Sequence, residues 1–507
     1  MLSEPEAAPT RTRLSLIQEE WFSNVKVDLL SGLLVALALI PEAISFSIIA
    51  GVDPKVGLYA SFSIAIIISF AGGRSGMISA ATGAMALVLV PLVEQHGVAY
   101  LFAATILAGF IQIGFGYLGV GALMRFIPRT VMVGFVNALA ILIFLAQVPH
   151  IFLTGEDADS SQLPLNIAFV LGGLALIYGL PRLSTAVPAP LVAIVVLAGS
   201  AIFWNLGLPT VGDMGELPNA LPFVSLPDVP FAFETLQIIL PFAITLALVG
   251  LLESLLTAQL LDDMTDTDSD KNVESRGQGV ANVATGFLGG MAGCAMIGQS
   301  MINYRSGGRT RLSTLASGLF LLVLILGLGD LVAKIPMAAL VAVMIMVSIS
   351  TFNWRSVKIA TLKTAPSAET AVMVVTVAIV VLSHNLAYGV AAGVVLSAVF
   401  FARHVSGVVK VTSVLDPDNT ERLYSVSGEL FFASSNQIVR AFHYDAVKVK
   451  RVEIDLTEAR IWDTSAVAAL DTVVAKFADR GIVAVLVGLN PHAEALHRRT
   501  TGTVSNH

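Results

Sequence analysis

Two glutamates stand inside long apolar runs of this chain: Glu42, directly after Pro41, and Glu253, within Val249–Leu256. A bare carboxylate at bilayer depth costs ~2.5–3.5 kcal/mol even on a lenient insertion scale, so each must face a wet cavity, find a partner or carry a proton. Loss of water favours the neutral acid, which makes Glu42 a candidate proton carrier. The alternative is a structural acid hydrogen-bonded across helices. Thr257 lies one helical turn beyond Glu253 and shares its face. Two other apolar runs are broken by small and polar residues, at Ser79–Ala84 and at Gly298–Ser300. If these runs are half-helices, each exposes unpaired N–H groups and the positive end of its dipole within the membrane. Two such ends facing each other form a cradle for negative charge. Glycines that only permit close helix packing would look the same.

The elements that must position these residues are membrane helices. More than half of the 507 residues are hydrophobic and 13% are charged, against ~25% charged in an ordinary soluble protein. A soluble fold of this length has no interior large enough for so much apolar surface, so a bilayer is the natural solvent. A crossing helix takes ~20 mostly apolar residues. About fourteen candidates fit between Lys26 and Ser406, the first over Val27–Ile49, the fifth over Val131–Ala146 and the last over Leu386–Val405. The first is too late and too long for a cleavable signal. Lys and Arg gather in alternate loops, among them Arg74, Arg125, Arg182, Arg276, Arg309 and Lys363. The opposite loops carry Glu156, Asp157, Asp213 and Glu216. Because positive loops stay in the cytoplasm, both termini are expected inside a bacterial-type inner membrane. The acidic run from Asp262 to Asp270 reads as a solvated cytoplasmic loop.

The two halves echo each other. Each glutamate falls in the first span of a seven-span half and each break in the third, a placement that points to an inverted-repeat transporter with a site at mid-membrane. After about Val408 the pattern becomes that of a soluble protein. Strands are expected at Leu423–Gly428, Val452–Leu456 and Ile482–Val487, and helices at Ser465–Ala478 and Pro491–Arg498. Three parts follow: a cytoplasmic segment 1–24, a transmembrane domain 25–408 and a cytoplasmic α/β domain 409–507. Cys294 is the only cysteine, which rules out an intrachain disulfide and a cysteine-based zinc site. The eight histidines are scattered without metal-ligand spacing, so neither a metal, a cofactor nor an enzymatic activity is expected. A net charge of −7 without a basic stripe disfavours nucleic acid.

The run Asp28–Phe62, with Arg125–Ile141, Leu251–Asp266, Gln278–Asn282 and Gly298–Ser313, resembles the SulP family, the sulfate-permease-type anion transporters related to animal solute carrier family 26. The stretch Val452–Leu470 is similar to a STAS domain, the module shared with anti-sigma-factor antagonists. The resemblance implies a seven-plus-seven repeat. A core of spans one to four and eight to eleven would slide against a gate of spans five to seven and twelve to fourteen in an elevator-like cycle. It also implies a homodimer, a regulatory partner for the STAS domain, and substrate held between the tips of spans three and ten. Carried onto this chain, that site comprises Thr82, Gly83, Ala84 and Met85 with Gly298, Gln299, Ser300 and Met301, and Phe46 as an apolar wall. Many relatives have glutamine where Glu42 stands, and arginine where Gln299 stands. The missing fixed cation favours cotransport of H+ with the anion. In sodium-coupled bicarbonate members the positions of Glu253 and Thr257 bind the cation, which keeps Na+ as the alternative coupling ion. The substrate expected is a small anion, a dicarboxylate such as fumarate first, with sulfate and bicarbonate next. In STAS proteins a serine at the position of Ser465 is phosphorylated, while Asp463, Thr464 and Ser465 also fit a simple helix cap.

Overall fold

The computed structural model describes residues 18, 20–121, 128–153, 162–182, 188–383, 385–418, 420–489, 491 and 494–495. The chain divides into two compact units, 1–394 and 395–507.

The first unit is helical. Its first half runs through α1 (Val25–Ile49), α2 (Pro54–Ala71), a three-residue strand β1 (Ser79–Ala81) leading into α3 (Gly83–His96), α4 (Val98–Tyr117), α5 (Arg129–Phe152), α6 (Leu163–Gly179) and α7 (Ala189–Phe203). The second half repeats the order with α8 (Phe233–Thr265), α9 (Lys271–Phe287), strand β2 (Gly293–Ala295) leading into α10 (Ile297–Arg305), α11 (Arg311–Ala333), α12 (Met337–Thr351), α13 (Ser367–Ser383) and α14 (Leu386–Ser406), whose chain passes from the first unit into the second after Val394. Eight of the described helices are long and apolar enough to cross a bilayer alone. The third and tenth segments cross as strand plus helix, and an extended backbone inside a membrane protein must have its polar groups answered by protein. Here β1 and β2 pair antiparallel across the two halves, Ser79 with Ala295 and Ala81 with Gly293. Side chains complete the pairing. Ser61 Oγ accepts from the Ala81 N–H at 3.3 Å, Ser254 Oγ from Ala295 at 3.0 Å, and Asn282 Oδ1 from Gly293 at 2.9 Å. That need explains why α9 is polar yet buried: Asn282 and Gln278 on it answer main-chain or hydroxyl groups of the paired strands. Helices α1–α4 and α8–α11 pack closely among themselves, as α5, α6, α12 and α13 do, and fewer contacts join the two groups.

One expectation changes, at Asp262, while Asp263, Asp266, Asp268 and Asp270 of the same run are exposed as expected. Asp262 is not solvated: it sits in the last turn of α8, 6% exposed, paired with Arg74 at 3.2 Å and with Lys271. The charge is tolerated there because two cations flank it. Asp270 caps α9 by accepting from the N–H groups of Asn272 and Val273. The expected Arg125, Glu156 and Asp157 loop positions lie outside the described residues.

The second unit holds β3 (Lys410–Leu415), β4 (Glu421–Leu430), helix α15 (Ser435–Ala441), β5 (Arg451–Asp455), β6 (Ala459–Ile461), α16 (Thr464–Ala478) and β7 (Val483–Val487). Strands β3, β4, β5 and β7 form one path, antiparallel at β3–β4 and parallel thereafter. Its apolar face packs against α16 through Val467, Leu470, Val473 and Phe477. Asp463 caps α16, accepting from the Ala466 N–H at 3.0 Å, as its side-chain chemistry favours. β3, β6 and α15 are additions to the expected set. The expected helix Pro491–Arg498 falls mostly outside the described residues.

Candidate functional site

Where the two broken segments meet, a cavity of about 200 Å³ opens inside the first unit. α1 contributes Glu42 and Phe46, the start of α3 contributes Thr82 and Gly83, α8 contributes Glu253, and the start of α10 contributes Gly298 and Gln299. These seven sequence-predicted residues therefore share one wall. The helical ladder begins with the Ala86 N–H on Thr82 O and the Ser300 N–H on Met296 O, both at 3.0 Å. The amides left without an intrahelical carbonyl are those of Gly83, Ala84 and Met85 in one helix and of Ile297, Gly298 and Gln299 in the other. Both positive helix ends thus border the cavity. Glycine is suited to these tips: a Cβ on Gly83 would come within 3.0 Å of the Phe46 ring, whereas Gly298 faces open space.

Other expected site residues do not reach that wall. Ser300 accepts from the Ile78 N–H at 3.0 Å, and its own amide already belongs to the helix. Its task is to hold the approach to β1, and the amide set shifts to Ile297–Gln299 because α10 starts three residues earlier than Ser300. Met301 is in the second turn. The side chains of Ala84 and Met85 are fully buried, Met85 towards Gly250 of α8. Thr257 is fully buried and donates to the Glu253 main-chain carbonyl at 2.8 Å, so its hydroxyl points along its own helix.

Each glutamate shares the cavity lining with a polar side chain of the opposite half of the repeat, Glu42 with Gln299 and Glu253 with Thr82. Glu253 accepts from the Cys294 thiol at 2.9 Å, and the same sulfur is 3.1 Å from Thr82 Oγ1. Gln299 is 2% exposed, and its Oε1 has no partner among the described residues. Among the described residues no Lys or Arg lines the cavity. The rest is apolar, with Phe135, Leu139 and Ile143 from α5 and Met346 from α12, and Ser350 and Thr351 at one edge. These α5 and α12 residues were not legible in the sequence as part of the site. They are ordinary members of apolar helices, and only the tertiary fold sets them opposite the half-helix tips.

Residues 25–376 match the Sulfate permease family, and residues 413–501 match the STAS domain. Over 483 residues the chain is 58% identical to "Putative sulfate transporter YbaR" of Bacillus subtilis, covering 95% of this chain and 98% of that protein. It is 28% identical to the bicarbonate transporter BicA of Picosynechococcus, covering 92% and 89% respectively. Among solved structures, the transmembrane domain of a cyanobacterial BicA superposes with a TM-score of 0.64 at 29% identity, over 73% of this chain and 98% of that one. The murine Slc26a9 anion transporter superposes at 0.81 over 98% and 92%, and at 16% identity the likeness is one of fold. With the match running through both halves of the helical unit and a second match over the α/β unit, the chain is an integral membrane protein of the sulfate permease family of anion transporters, with a C-terminal STAS domain.

Proposed function

We propose that the protein is a secondary active transporter that carries a small anion together with a proton by an elevator-like alternating-access cycle, the anion bound between the tips of α3 and α10. One observation carries this reading: a cavity bordered by two helix N-termini and two buried glutamates, with no cationic side chain among the described residues that line it. Peptide dipoles attract an anion, but without a fixed cation an ionised Glu42 would repel it. Protonation of Glu42 removes that repulsion, so anion and proton binding reinforce each other. Gln299 suits both states of Glu42. Its amide N–H can donate to a carboxylate, and its Oε1, without a partner among the described residues, can accept from a carboxylic acid. An arginine could serve only the first.

A small dicarboxylate such as fumarate is the substrate this cavity favours. Phe46, Leu139, Ile143 and Leu256 offer a carbon backbone a surface that a purely polar oxyanion cannot use. Sulfate is the second reading, favoured by the name of the 58% identical relative. Bicarbonate with Na+ at Glu253 is the third, favoured by the relation to BicA. A homodimer in the inner membrane, termini cytoplasmic, with a regulatory partner for the STAS domain, completes the proposal by family likeness and loop charge. Purified protein in liposomes, offered labelled fumarate, sulfate and bicarbonate with and without H+ or Na+ gradients, tests it. Uptake of fumarate driven by an inward proton gradient is expected. Uptake that follows only a sodium gradient, or strict exchange, refutes the proton reading.

A further inference from the structure

Cys294 is the only cysteine of the chain and lies fully buried at the centre of β2, paired with Ala80 of β1. Its Sγ is 2.9 Å from Glu253 Oε2 and 3.1 Å from Thr82 Oγ1. Both of those partners stand on the cavity wall, whereas the thiol is behind them. We infer that Cys294 is a positioning residue that holds the Glu253 carboxyl towards the cavity and couples it to the tip of α3.

The geometry is specific on three counts. First, two adjacent residues of β2 bond two adjacent residues of α8: the Cys294 thiol to Glu253, and the Ala295 N–H to Ser254 Oγ at 3.0 Å. The strand is therefore locked in register on the helix, and the carboxyl has a fixed donor. Second, the hydrogens are rationed. A thiol carries one proton, and with that proton on Glu253 its sulfur is left as an acceptor for the Thr82 hydroxyl. The single O–H of Thr82 is thereby engaged by the sulfur at 3.1 Å. A proton or cation arriving at Glu253 competes with the thiol for the carboxylate, and the change passes through the sulfur to the Thr82 hydroxyl at the N-cap of α3, beside the open amides. Third, Thr82 belongs to the first half of the repeat and Glu253 to the second. The Cys294 sulfur thus lies on the hydrogen-bonded path joining the two halves at the site. A filler role in packing would need none of these contacts, since alanine fits a small apolar niche.

This inference rests on the reading of Glu253 as a group that meets the coupled ion or the anion, and a double-mutant cycle separates the two. Cys294→Ala, Cys294→Ser and Glu253→Gln, with the Cys294→Ala/Glu253→Gln double variant, are compared by fumarate uptake into liposomes and by thermal midpoint in detergent. Cys294→Ala is expected to raise KM about ten-fold, the loss of one hydrogen bond to a charged group. Cys294→Ser, which keeps a donor, restores most of it. In the Glu253→Gln background the alanine change adds less than about two-fold, because the partner it positions is already altered. Equal effects in both backgrounds, or a serine variant no better than alanine, overturn the positioning role and leave the transport reading intact. A Glu253→Gln protein with unaltered transport removes both. A measurement independent of transport is the infrared S–H stretch, which arises from one thiol in the whole chain. It is expected to shift on Glu253→Gln, and an unmoved band overturns the bond.

Discussion

Replacing Glu42 by glutamine removes the proposed proton while keeping shape and a polar group on the cavity lining shared with Gln299. The magnitude follows from the single carboxyl that Gln299 serves. One proton per cycle converts each pH unit into ~1.4 kcal/mol, about ten-fold in anion accumulation, when the electrical potential is clamped at zero. Liposomes with an interior at about pH 7.5 in a medium at about pH 6.5 should therefore concentrate labelled fumarate about ten-fold with the native protein. The Glu42→Gln protein should only equilibrate it, at about one-fold. If Glu253 also exchanged a proton, the native value would approach about a hundred-fold and the variant would retain about ten-fold. Native-like accumulation by the variant with native-like initial rate refutes the assignment of the proton to Glu42. Because glutamine can still pair with the Gln299 amide, a fall in thermal midpoint is not expected, and one can be checked on the same sample.

Gln299→Arg would set a fixed cation beside Glu42, so anion uptake should lose its pH dependence between about pH 5.5 and 7.5 while exchange of internal for external anion persists. A pH profile of both activities reads this. Asp28 is fully buried at the start of α1 and accepts from the N–H groups of Arg309 and Thr310 and from the Thr310 hydroxyl at 2.8 Å. Asp28→Ala should cost ~2–3 kcal/mol and lower the unfolding midpoint by several degrees in detergent, because those donors are left buried and unanswered. The loop between α7 and α8 is tied to the start of α2 by the Lys55–Glu216 pair and by the Glu216 N–H on Asp53 at 3.1 Å. The Lys55 hydrogen bond lowers the Glu216 carboxyl from its ordinary value. The pair's contribution is present above the usual carboxylate range and is lost as pH falls through the depressed value. Hydrogen exchange of residues 204–232 should therefore be unaffected by this titration above about pH 5 and lose protection in more acidic solution.

The sequence by itself determined that the chain spans a membrane, that it divides into a long helical part and a short α/β part, and which two apolar runs are broken. Those conclusions rest on local quantities: run length, the cost of a buried carboxylate, and the loss of helical hydrogen bonds at Ser79–Ala84 and Gly298–Ser300. Helix ends also followed from local signals, α1 and α14 closely, whereas α5 runs on to Phe152 past the Ala146 expected for it. The tertiary structure decided which polar groups face the cavity. Ser300 and Thr257 have hydroxyls suited to a ligand, yet each is engaged by main-chain atoms nearby. Gln299 Oε1 is left without a partner among the described residues. Cys294 has no sequence signal at all, since its significance lies in being 2.9 Å from a residue 41 positions away. Such pairings depend on how two inverted halves meet, and no window of local sequence contains that information.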